Sequence, residues 1–93
     1  MEIIKGLVIN AMYQDMDEQI EVVAVFESHK LKPARFRWNG RIYKISEVTG
    51  DWKTNIGAYK VHHFAVVDTS SNFFQLTYDE HQTSWVISKI WVE

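Results

Sequence analysis

The residues best suited to binding chemistry fall in one block. Lys30, Lys32, Arg35, Arg37, Arg41 and Lys44 lie within residues 28–46, a stretch with no acid at all. Within it, RFRWNGRIYKI (Arg35 to Ile45) alternates cations with aromatics around an Asn39-Gly40 break. Cations beside aromatics suit nucleic acid, with phosphates neutralised by the charges and bases stacked on the rings. They equally suit an acidic protein surface. Asn-Gly between alternating runs is a strong hairpin signal, because a type I′ turn needs positive φ at both central residues. With that turn, Trp38 faces Arg41, Phe36 faces Tyr43 and Arg35 faces Lys44. Strand parity then sorts Phe36, Trp38, Tyr43 and Ile45 to one face and Arg35, Arg37, Ile42 and Lys44 to the other. This reduces the gripping surface to a cationic face, with Lys30, Lys32, Arg35, Arg37 and Lys44 as the candidate contacts. The bland reading is a half-buried hairpin whose solvent face is basic.

Other chemistry has less to build on. Four histidines invite a metal site, but His62 and His63 are strand neighbours that point to opposite faces, so no metal ligand set is assigned. There is no Gly-rich phosphate loop, no nucleophile elbow and no cofactor fingerprint, and no enzyme activity or cofactor is expected. An enzyme reading needs a pocket that gathers His62, His63, Tyr43 and Asp79. Trp52 and Tyr59, flanking a Gly-containing loop, are candidate aromatic anchors for a ligand or partner. Trp38, Trp85 and Trp91 are expected in the core.

The elements that must position these residues are mostly strands. At 93 residues the chain makes one domain, 46% apolar and able to bury a core. No cysteine means no disulfide, thiolate metal site or cysteine nucleophile. Residues 1–27 hold one Lys against six acids, and the net charge of −2 hides this segregation. Ile3, Ile4, Leu7, Val8, Ala11 and Met12 repeat at helical spacing, predicting an amphipathic N-terminal helix, with a strand over EIIKGLVI as the alternative. Residues 14–19 read as an acidic turn, making residues 1–19 an N-terminal helix or arm. From residue 20, strands are expected over 20–27, 34–38, 40–48, 60–68, 73–78 and 85–92, with Pro33 between the first two. Five to six antiparallel strands of this length curl, so the expected fold is mainly β (α+β), a meander closed into a small or partly open barrel. Nothing resembles a secretory leader or a membrane-spanning run of roughly 20 apolar residues. A cytoplasmic location and no membrane partner are expected.

The stretches PARFRWNGRIYKISEV (33–48), Trp52, HHFAVV (62–67), FQLTYD (74–79) and SWVISKIW (84–91) have a further bearing. Together they resemble an uncharacterised bacterial family of short domains of unknown function. Its pattern runs P-x-x-F-x-W-x-G-R-x-Y-x-V, then Trp, then an E-L-Y-x-D-like strand, then W-x-L-x-R-x-Y. The resemblance extends from about Ile20 to Trp91. It departs from the pattern at Ile45, where Val is usual, and in a shorter loop after Trp52. Similar domains occur beside or fused to relatives of Y-family translesion polymerases, which implies an accessory binding module and transfers no functional site. The function expected is therefore a binding module contacting nucleic-acid backbone, or alternatively a protein-interaction or homodimerisation domain.

Overall fold

A computed structural model describes residues 13–91. Six strands occupy that span: β1 (Tyr13–Glu27), β2 (Lys30–Trp38), β3 (Arg41–Ile56), β4 (Tyr59–Asp68), β5 (Phe73–Asp79) and β6 (Ser84–Trp91). Each pairs antiparallel with the next, and β1 also pairs with β6, closing a barrel in sequence order. The meander is thus fully closed and, among the described residues, all-β. The helix expected at residues 3–12 lies outside the described residues. No helix among those described is long and apolar enough to cross a membrane.

Closure depends on two long strands that each change partner midway. Tyr13–Ile20 of β1 pairs with β6, and Glu21–Glu27 pairs with β2. Arg41–Lys44 of β3 pairs with β2, and Ile45–Ile56 pairs with β4. Register shifts at Asp15/Glu18, Ile45/Glu47 and Val48/Gly50 let these strands bend and twist enough to serve both neighbours. The acidic run 14–19 is therefore strand, not turn. Its polar residues show no alternation because they form one edge of the seam, with Asp15 3.4 Å from Lys89 across it.

Inward parity builds the core from Ile20, Phe36, Phe64, Val66, Phe74, Leu76 and Ile87. At one end Phe36 stacks on Tyr43 at 5.0 Å and meets the edge of Phe74 at 5.2 Å. A second cluster packs Trp85 against Phe64 and Tyr78. Trp38 and Trp85 pack on this core as expected. Trp91 does not: at 38% exposure on the last described residue of β6, it lies at the barrel margin.

The Asn39-Gly40 hairpin has the expected register, with Trp38 opposite Arg41, Phe36 opposite Tyr43 and Arg35 opposite Lys44. Both turn residues have positive φ, 52° and 75°. A second such turn, Ser28-His29 (φ 53° and 64°), joins β1 to β2 without glycine or asparagine. That makes Lys30 to Pro33 part of β2, so Pro33 sits inside a strand and is buried. It is tolerated there because the register shifts at this point: Val23 faces Arg35, but Ala24 faces Pro33, leaving Ala34 as the extra residue.

Candidate functional site

The shift at Pro33 decides where the cations point. Along a regular strand, Lys30 and Lys32 would face opposite to Arg35 and Arg37, because their parities differ. The extra residue at Ala34 reverses the parity. Leu31, Pro33 and Phe36 turn inward, while Lys30, Lys32, Arg35 and Arg37 are all exposed. Lys44 joins them from β3, opposite Arg35. All five predicted contacts are therefore gathered on the outside of the β1–β2–β3 sheet.

The face is not uniformly basic. Arg37 donates from Nη2 at 2.6 Å and from Nε at 3.0 Å to Glu21 Oε1, and Lys32 lies 4.0 Å from Glu27. Both pairs are solvent-exposed and contribute little to stability. Lys30, Arg35 and Lys44 have no ion pair among the described residues. Val23, Val25 and Ile42, each more than 40% exposed, lie between the charges. Arg41 is set apart, its guanidinium 5.5 Å from the Tyr43 ring centroid. The Trp38 indole N–H donates instead to Glu18, at 3.0 Å.

Beyond the four pairs that tie Arg35–Trp38 to Arg41–Lys44, β2 and β3 diverge and the barrel wall opens. The gap lies between the β1–β2 hairpin tip and the β3–β4 ribbon, and it encloses a cavity of about 140 Å3. Leu31 and Phe64 line it, Asp51, Trp52, Lys53 and His62 border it from the ribbon, and Phe26, His29 and Lys30 border it from the tip. Its volume is below the roughly 300–1,000 Å3 typical of a cofactor or drug-sized ligand. His62 Nε2 is 2.6 Å from Glu80 Oε2, and this hydrogen bond holds the Glu80 carboxyl below its usual range.

The opposite face of the same ribbon carries Trp52, Thr54 and Ile56 from β3 and Tyr59, Val61 and His63 from β4, set by the pairs Trp52–His63, Thr54–Val61 and Ile56–Tyr59. Trp52 stacks on His63 at 5.3 Å, and Tyr59 approaches His81 at 4.1 Å. The two candidate anchors thus share one face and remain exposed, as does Ile56 at the tip. His63 lies between Thr54 Oγ1 (2.9 Å) and Thr77 Oγ1 (3.4 Å), and Thr77 donates on to Ser88. Burial, and secondarily the neighbouring His62, pushes the His63 pKa down. A neutral imidazole fits a site flanked by hydroxyls.

The residues weighed for enzyme chemistry are not brought together. His62 borders the cavity, and His63 is on the far side of the ribbon. Tyr43 belongs to the Phe36 cluster, and Asp79 caps the β5–β6 turn by accepting from the His81 and Gln82 N–H groups. Among the described residues no three His, Asp or Glu side chains are grouped to hold a metal ion. Phe26, Asp51 and Lys53 have no local signal of a site, because only the long-range divergence of β2 from β3 places them at an opening. The one local clue was the Ser28-His29 pair, which lacks the Gly or Asn that usually marks a two-residue turn.

No curated protein and no solved structure matches the chain. The resemblance to a family of unknown function is borne out, however: the family model described as a domain of unknown function (DUF6504) matches residues 12–92, and the chain belongs to that family.

Proposed function

We propose that the protein is a small binding module that takes nucleic-acid backbone on its cationic β1–β2–β3 face. The observation that carries this reading is the extra residue at Ala34. It turns Lys30 and Lys32 onto the face of Arg35, Arg37 and Lys44, on a sheet whose second strand has no acid of its own. The family resemblance to domains found beside translesion polymerases points the same way. Among the described residues Arg35, Lys44 and Lys30 have no counter-ion to displace, whereas Arg37 and Lys32 would first have to leave Glu21 and Glu27. Binding is therefore modest and strongly salt-dependent. The logarithm of affinity falls with log[salt] at a slope of about −2 to −3 for three phosphates neutralised. Arg35→Ala and Lys44→Ala each flatten that slope by about one, as read by fluorescence anisotropy of a labelled oligonucleotide between about 50 and 200 mM salt. No binding by the wild type at the low end of that range removes the reading.

A protein partner, here a second copy of the chain, is the other reading, and one feature favours it. Trp52, Ile56 and Tyr59 are all exposed on one face of the β3–β4 hairpin, and Trp and Tyr are frequent interface anchors. Sedimentation equilibrium would then show a concentration-dependent dimer that Ile56→Asp abolishes. A monomer at all accessible concentrations rules it out.

A further inference from the structure

The opening between the two hairpins has what the cationic face lacks: an aromatic ring held in solvent above an apolar floor, with cations nearby. Phe26 faces Leu31 across β1 and β2, on the parity that elsewhere points into the core. Past Pro33 there is no β3 wall left to cover it, and it is 81% exposed, more than any other large hydrophobic among the described residues. A Phe so exposed contributes almost nothing to the core. Leu31, its cross-strand partner, and the buried Phe64 line the same opening, as do His29, Lys30 and Lys53. Asp51, on the ribbon side, has no ion pair among the described residues.

We propose that this opening is the binding site for one unpaired base of a single-stranded nucleic acid. The proposal rests on the nucleic-acid reading above and adds the class of strand. The base stacks on Phe26 over Leu31 and Phe64, and the adjoining phosphates are met by Lys30 and Lys53. Stacking on an exposed ring needs a base free of its own stack, so a duplex gains nothing here. A recess of about 140 Å3 admits a single ring system rather than a helix or a peptide strand. Asp51 sets the orientation: a carboxylate repels phosphate and accepts a hydrogen bond from an exocyclic amino group. The base therefore enters and the phosphates stay at the lysine rim, with cytosine favoured over thymine. Lys30 belongs to both the opening and the cationic face, so a strand leaving the recess continues along Lys32 and Arg35.

The test compares three labelled ligands of equal length by fluorescence anisotropy: an oligocytidylate, the same backbone with abasic sites throughout, and a duplex. Phe26→Ala weakens oligocytidylate binding about 5- to 150-fold, the usual effect of losing one stacking contact, and leaves the abasic strand and the duplex unchanged. Phe26→Trp retains or tightens oligocytidylate binding. Because Phe26 is exposed, the alanine variant keeps its fold, which an unchanged urea midpoint verifies. Asp51→Ala removes the preference for oligocytidylate over oligothymidylate. Equal binding of oligocytidylate by the wild type and Phe26→Ala overturns the base site. If Arg35→Ala then still weakens all three ligands, the cationic face stands alone. Failure of every ligand to bind the wild type at low salt overturns both.

Discussion

Replacing Phe36 with alanine lowers the unfolding free energy by about 3–5 kcal/mol, the usual cost of emptying a Phe site in a packed core. The residue is 1% exposed and sits where β2 and β3 join. It stacks on Tyr43 and meets the edge of Phe74, so the truncation leaves both rings facing a void. For a domain of this size that is a fall of at least about 12 °C in Tm, and a large part of the 5–15 kcal/mol that such folds possess. Phe36→Leu, which refills most of the volume but loses the ring contacts, costs less than the alanine variant. Urea unfolding of both variants checks this. A loss below about 1.5 kcal/mol for alanine contradicts the packing described. The same residue anchors the alternation that turns Arg35 and Arg37 outward, so under the proposed nucleic-acid reading any oligonucleotide affinity would fall with the fold in Phe36→Ala and be retained in Phe36→Leu.

Asp68→Ala costs about 2–3 kcal/mol through a different mechanism. Asp68 is the one buried charged or polar side chain among the described residues, at 5% exposure. Its Oδ1 accepts from the backbone N–H groups of Ser70 (2.9 Å) and Asn72 (2.8 Å), and Oδ2 accepts from the Asn72 side-chain amide at 3.0 Å. Hydrogen bonds to a charged acceptor contribute roughly 1.5–3 kcal/mol each, and these exposed turn donors recover part of that from water when the acceptor is lost. The turn also clamps β3. Thr69 N–H donates to the Lys44 carbonyl, and Ser46 Oγ donates to the carbonyls of Val67 and Asp68. The clamp sits at the corner where β3 leaves β2 for β4, next to Lys44 of the cationic face. Asp68→Asn keeps Oδ1 as an acceptor and loses about half as much. Equal urea midpoints for the alanine variant and the wild type would refute a structural role for this carboxylate.

Much of the hairpin is local chemistry. Asn39-Gly40 is flanked by a clean alternation, and both the register and the inner residues Phe36, Trp38 and Tyr43 follow from those features. The opposite fates of His62 and His63 follow from strand parity in the same way. The β1–β2 hairpin was not legible, because Ser28 and His29 adopt left-handed conformations that neither residue type advertises. The strand beginning at Tyr13 was hidden too. Gln14 to Gln19 have no apolar pattern, and they are extended because β6 supplies a ladder partner across the barrel seam.

By itself, then, the sequence determined an antiparallel meander, the faces of its Asn-Gly hairpin and the concentration of cations in residues 28–46, since turn chemistry, side-chain period and charge are properties of neighbours in the chain. Only the tertiary structure decided that the sheet closes through β1 and β6. It alone decided that the extra residue at Ala34 brings Lys30 and Lys32 onto the face of Arg35, and that β2 and β3 part to leave Phe26 uncovered beside Lys53. Each of these depends on which strand lies alongside which, and on where a bulge shifts the register. A single extra residue reverses the direction of every side chain beyond it, and no count along the chain reveals that without the partner strand.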